Sequence, residues 1–238
     1  MKLLPKILNI LFPNKCLCCD QIISFDANFC LACWQKLKFI KPPNCQICAY
    51  PFEIQIYRND YNICSNCLKK PPFFDKTLSV FRYNETIGRA IGNLKYRDQT
   101  HLAQSFAKIL ANQIAYEIEN CDYICAVPLH HNKLKTRKFN QALLIAKNLG
   151  SPKLIVDLLI RTKHQTSQVK LSQKQRLTNI KQAFKVNPQY AKLIAGKKIL
   201  LIDDVITTSA TVNAAAHELK KSRVELVVVA TLAKTIFD

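Results

Sequence analysis

Residues 198–216 read KILLIDDVITTSATVNAAA. An uninterrupted apolar run, Ile199 to Ile202, leads into two adjacent carboxylates, Asp203 and Asp204. A loop dense in hydroxyls follows (Thr207, Thr208, Ser209 and Thr211), and small residues suited to a helix come next. An apolar run without polar alternation is the mark of a parallel strand covered on both faces. In an open parallel sheet, ligands sit beyond the carboxyl ends of the strands, where Asp203 and Asp204 would lie. The helix that follows offers unpaired N–H groups and the positive end of its dipole to an anion. The hydroxyls add donors for the same anion. Carboxylates repel a phosphate, so their partners should be sugar hydroxyls, and a ribose 5-phosphate satisfies both halves of the stretch. The competing reading is a strand end with an Asp helix cap, which any α/β protein can carry.

Working outward, the pattern repeats. Residues 224–233, VELVVVATLA, form a second apolar strand, separated from the first by the helix 211–222. Upstream, 77–83 reads as a strand and 86–98 and 101–119 as amphipathic helices, the second with Leu102, Phe106, Ile109, Leu110 and Ile114 on one face. Residues 122–129, DYICAVPL, are a short buried strand ending in a proline turn, and 140–150 a helix closed by Gly150. The apolar run 154–160, LIVDLLI, reads as a further strand. This rhythm predicts an α/β domain built on a parallel sheet flanked by helices.

The first 70 residues are of another kind. Eight cysteines form four Cys-x-x-Cys pairs: Cys16/Cys19, Cys30/Cys33, Cys45/Cys48 and Cys64/Cys67. Each pair directs two thiolates at one point, and two pairs complete a zinc tetrahedron, so the series predicts two structural zinc sites of four cysteines each. Sequential pairing of the turns is simplest, and a crossed pairing satisfies the spacing as well. Cys18, inside the same first turn, offers a competing ligand. A thiol–disulfide oxidoreductase needs one such pair rather than four. Zinc here substitutes for a core that so short a segment cannot build. Cys121 and Cys125 are read as buried apolar thiols. At residues 69–75, KKPPFFD, paired prolines suit a stiff linker. The expected division is a zinc-ribbon domain over 1–72 and the α/β domain over 73–238.

Composition sets the remaining bounds. No apolar run reaches the roughly 20 residues of a membrane helix. The basic, partly apolar start is interrupted by Lys6 and lacks a small-residue cleavage site, which argues against a signal peptide and for a cytoplasmic protein without membrane insertion. The formal net charge is +19. From His130 to Lys198 there are 16 Lys or Arg against one acid, Asp157. Such a surface attracts polyanions and supports salt-dependent binding to DNA or RNA. A lysine-rich proteome would give the same bias. His130, His131 and His164 have no metal spacing.

The segment from Ile199 to Thr211 resembles the PRPP-binding motif of type I phosphoribosyltransferases. The chain as a whole resembles the ComF family, in which a zinc-ribbon domain precedes a phosphoribosyltransferase-like domain. The resemblance rests on the Cys-x-x-Cys series, LKY at 94–96, VPLH at 127–130, RKFNQA at 137–142, the segment 166–184 and the acidic loop. Two positions depart from the family pattern: Ser209 and Lys138 each stand where glycine is usual. The resemblance implies that Asp203, Asp204, Lys95 and Arg137 serve catalysis or charge compensation. It also implies that Val127, Pro128, Leu129 and His130 form the diphosphate loop, and that Thr207, Thr208, Ser209, Ala210 and Thr211 hold the 5-phosphate. Mg²⁺ would accompany PRPP, and residues 161–176 would form a loop closing over the site. The implied role is binding of PRPP or another ribose 5-phosphate, and of single-stranded DNA, in natural transformation, with a competence helicase or other DNA-uptake proteins as partners. The alternative is an active phosphoribosyltransferase acting on a base or amine acceptor that no residue identifies.

Overall fold

A computed structural model describes residues 13–24, 27–52, 62–129, 134, 136–162 and 183–237. The Lys133 and Lys135 part of the basic stretch, His130, and residues 163–176 of the expected closing loop lie outside these.

The centre is a four-stranded parallel sheet, β1 (Lys76–Arg82), β2 (Tyr123–Ala126), β5 (Lys198–Ile206) and β6 (Leu226–Lys234), in the order β1-β6-β5-β2. The two longest apolar runs take the middle, where both faces are covered, as their lack of alternation requires. Ile199, Leu200, Leu201 and Ile202 are at most 1% exposed. Strand side chains alternate between faces, and the packing follows that alternation. Ile124, Ala126, Leu200 and Ile202 face α3 (Glu85–Tyr96), α4 (Leu102–Asn120) and α5 (Gln141–Asn148). Cys125, Val127, Ile199 and Leu201 face α6 (Ala210–Lys221) on the other side. Cys121 and Cys125 are buried thiols, as their surroundings in sequence suggest.

The apolar run 154–160 departs from expectation. Only Leu159–Arg161 is strand, β3, paired antiparallel with β4 (Phe184–Val186) in a separate two-stranded sheet; Leu154 makes a lone parallel bridge to Ile124. Val156 and Ile160 point to solvent while Leu158 and Leu159 are buried, so the run lies over the sheet as a cover rather than joining it.

Each half of the ribbon segment repeats one plan. A Cys-x-x-Cys turn closes through a residue in the left-handed region (Asp20, φ 61°, and Ala49, φ 58°), and the next pair frames a short helix, α1 (Leu31–Trp34) or α2 (Ser65–Lys69). The ribbon does not hang from a linker. Cys16, Leu17, Cys18, Cys30 and Cys33 belong to the same buried cluster as Val80, Phe81, Ile87, Ile91 and Leu94. Phe39 bridges antiparallel to Phe81 at the outer edge of β1. Residues 69–75 are docked too: Phe74 is 3% exposed, the Phe73 N–H donates to Asn213 Oδ1 at 2.6 Å, and Asp75 accepts from the Val227 N–H at 2.7 Å. The paired prolines lead into a segment anchored at Phe73, Phe74 and Asp75. Among the described residues no helix is long and apolar enough to cross a membrane.

Candidate functional site

Two groups of cysteines gather in space: Cys16, Cys19, Cys30 and Cys33, and Cys45, Cys48, Cys64 and Cys67, with the ligand atoms of each group within 4.8 Å of one another. The sequential pairing is therefore the one adopted. Zn–S bonds of about 2.3 Å in a tetrahedron place sulfurs about 3.8 Å apart. The Cys19–Cys30 and Cys48–Cys64 sulfur separations are 3.6 and 3.7 Å, far longer than a disulfide and right for zinc ligands. The Cys64 N–H points at Cys45 Sγ at 3.3 Å, as zinc-bound thiolates favour. Cys18 is buried beside the first group but outside it, which suits a packing thiol rather than a ligand.

The second site forms where β5 and β2 end side by side. Ile202 pairs with Ala126, and the Val127 N–H donates to the Ile202 carbonyl at 2.9 Å, so the 127–129 turn lies next to Asp203. Strand alternation sends the two acids to opposite faces, and each meets its own cation. Asp204 turns toward α3 and pairs with Lys95 at 2.9 Å; the two side chains are 13% and 18% exposed. Asp203 lines a small cleft, about 190 Å³ including space open to solvent, with Val205, Ile206, Thr207, Ser209, Ala210, Thr211 and Val212. Thr208 is exposed and outside that lining.

Arg161, at the end of β3, faces the Asp203 side. Its guanidinium lies 5.0 Å from the Phe184 ring centroid and donates to the Pro128 carbonyl at 3.4 Å. Burial pushes Arg161 below its usual value, and the attraction of Asp203 opposes this. Protein crowds Asp203 from nearly every side although a rim of its surface meets solvent. Burial first, and then Asp204, pushes its carboxyl up to about 8; its hydrogen bond from the Asp204 N–H at 2.8 Å, Lys95 and Arg161 pull the other way.

The anion-facing half of the cleft is the start of α6. Ser209 stands at the N-cap with φ 60°, in the left-handed region, and makes no side-chain capping bond. The first N–H groups of an α-helix have no partner inside it. An oxyanion set among Thr207, Ser209 and Thr211 would take that place, so the geometry fits a phosphate. The preference for glycine at both departures has a backbone reason: Lys138, like Ser209, has a positive φ, 62°, where glycine would be unstrained.

Arg137 is not placed as a free cation on the 127–129 turn. It stacks on Tyr96, 4.7 Å from the ring centroid, and donates to the Tyr96 hydroxyl at 2.7 Å and to Gln141 Oε1 at 3.4 Å. Asn140 holds the turn instead, donating to the Val127 carbonyl at 2.9 Å while its Oδ1 caps α5 at the Leu143 N–H. Asn140 and Gln141 belong to the RKFNQA motif, which by itself assigns them no role, and Arg161 opens the polar run 161–176 expected to close over the site. An isolated arginine after an apolar run carries no signal of its own; only the strand pairing of 159–161 with 184–186 brings it to the site.

Comparison with known proteins agrees with this architecture. Residues 7–68 match the double zinc ribbon domain family, and residues 137–236 match the phosphoribosyl transferase domain family. Competence protein F of Haemophilus influenzae is 30% identical over 233 residues, covering 94% of this chain and 98% of that protein. Competence protein ComFC of Bacillus subtilis is 26% identical, over 85% of this chain and 87% of its own length. The DNA utilization protein YhgH of Escherichia coli K12 is 26% identical, over 73% and 78%. Among solved structures, a purine phosphoribosyltransferase from Pyrococcus horikoshii aligns with a TM-score of 0.34 and 18% identity, covering 55% of this chain and 70% of that one.

Proposed function

The chain belongs to the competence protein F family, and on that premise we propose that its α/β domain binds PRPP with Mg²⁺ and that the protein handles single-stranded DNA during DNA uptake. One observation carries the reading: the hydroxyl loop and uncapped N-terminus of α6 share a cleft with a half-buried acid, Asp203. That pairing of an anion seat with a hydroxyl acceptor matches one ligand, a ribose bearing a 5-phosphate. Asp203 accepts from the ribose hydroxyls, and Asp204, kept in place by Lys95, raises the negative potential for a bound cation. The 127–129 turn, tied by Asn140 and Arg161, faces the diphosphate end. Asp203 and Asp204 would hold Mg²⁺, which when bound would neutralise charge on the diphosphate. The relatives' names, competence protein and DNA utilization protein, support the DNA role, as does the +19 net charge.

Two titrations test the reading: PRPP with Mg²⁺, and single-stranded DNA over a series of salt concentrations. Saturable PRPP binding, and DNA affinity that falls steeply as salt rises, are expected. No binding of DNA at low salt refutes the nucleic-acid half. Release of diphosphate in the presence of free bases or amines would show transfer as well as binding.

A further inference from the structure

We propose that Tyr96 and Arg137 form a stacking platform for a nucleobase on the Asp204–Lys95 side of the ribose phosphate site, an inference that rests on the reading above. Tyr96 is 70% exposed, yet its ring is not loose. Its hydroxyl accepts from one end of the Arg137 guanidinium at 2.7 Å, and the same guanidinium lies 4.7 Å from its ring centroid. Arg137 is fixed in turn by Gln141, which is 1% exposed and opens α5.

Both ends of the platform adjoin, in sequence, residues that hold the site. Tyr96 follows Lys95, the cation on Asp204. Gln141 follows Asn140, the residue holding the Val127 carbonyl. Gln141 Nε2 is buried without a hydrogen-bond partner among the described residues, so this helix start is held at some cost in unsatisfied polarity. A rigid, electron-rich ring with a planar cation against it presents a preordered surface to a flat aromatic ligand, and such surfaces bind any base because every base has a π-face. The ligand class is a purine or pyrimidine ring carried by, or presented to, the sugar in the cleft. It can come from a free nucleotide or from a base of single-stranded DNA. Arg137 is then a stacking and positioning cation, not a diphosphate ligand.

The test compares AMP with ribose 5-phosphate by calorimetry, with Mg²⁺, for the parent, Tyr96→Leu and Tyr96→Phe. The parent should prefer AMP by about tenfold, within the range of single base–aromatic stacks. Tyr96→Leu should abolish that preference and leave ribose 5-phosphate affinity unchanged, and Tyr96→Phe should keep most of it. Equal binding of the two ligands by the parent, or an AMP preference that survives in Tyr96→Leu, overturns the platform. If neither ligand binds, the ribose phosphate reading is what has failed. The platform is then judged on a thymidine oligonucleotide against an abasic strand of equal length: tighter binding of the thymidine strand, lost in Tyr96→Leu, upholds it, and equal binding overturns it.

Discussion

Replacing Lys95 by Met removes a cation while keeping an unbranched side chain of similar length. The Lys95–Asp204 pair spans 2.9 Å, with side chains 18% and 13% exposed. An exposed ion pair contributes about 0–1 kcal/mol, whereas stripping one partner from a buried pair costs about 3–5 kcal/mol. With less than a fifth of either side chain in water, discounting the buried figure for that remaining contact gives about 2–3 kcal/mol. For a chain of this size the transition temperature should fall by roughly 5–10 °C. The loss should also depend on pH. Asp203 has its carboxyl pushed up to about 8 from 3.8. Between those values the folded state holds more protons than the unfolded state, so stability declines as pH rises through the window. Lys95 restrains that upward shift. Without it the decline should continue to higher pH, and the deficit of Lys95→Met against the parent should be larger at pH 8.5 than at pH 5.5. Thermal unfolding followed by circular dichroism at both pH values measures this. A deficit that is the same at both would mean lost packing alone, and no deficit would refute the electrostatic argument.

Three further outcomes follow from the same geometry. If bound Mg²⁺ or ribose requires Asp203 as carboxylate, ligand affinity should rise from pH 6 toward pH 8 with release of a proton, read by calorimetry in two buffers of different ionisation enthalpy; a flat profile contradicts it. Ser209→Gly should stabilise the protein by about 1 kcal/mol, because Ser209 sits at φ 60°, and should hold ribose 5-phosphate at least as tightly; a lower transition temperature would show that the side chain contributes more than the strain costs. Chelating the zinc should lower the unfolding temperature of the whole chain rather than melt the ribbon alone, since the first cysteine group shares its core with β1 and α3; an unchanged α/β transition would contradict that shared core.

The parts written in contiguous residues were legible. Ile199 to Ile202 and the 224–233 run announced buried strands because nothing polar interrupts them, and four Cys-x-x-Cys pairs admit few uses but metal. What depends on distant partners was not. Alternation along β5 sets Asp203 and Asp204 on opposite faces, but their cations come from α3 and β3, more than 40 residues away in sequence. Arg137 had the charge for a diphosphate ligand, and its engagement with Tyr96 is visible only once the end of α3 meets the segment before α5. Residues 69–75 carried the prolines of a linker, while the fixing of Phe73 and Asp75 depends on Asn213 and Val227. The apolar run 154–160 had strand composition, yet with Leu158 and Leu159 buried and Val156 and Ile160 exposed it fits a cover over the sheet.

The central claim is that Asp203 and the start of α6 together hold a ribose 5-phosphate. Calorimetric titration of PRPP with Mg²⁺ into the parent, Asp203→Asn and Asp204→Asn tests it directly. Both substitutions keep size and remove charge, so the folded state should survive, as circular dichroism can verify. Saturable binding by the parent is expected, with Asp203→Asn weaker by roughly 10- to 100-fold for one lost charged hydrogen bond of about 1.5–3 kcal/mol. Asp204→Asn should weaken binding less, because Asp204 faces Lys95 rather than the cleft. Equal affinity in the parent and Asp203→Asn, or a parent that binds neither PRPP nor ribose 5-phosphate, would contradict it.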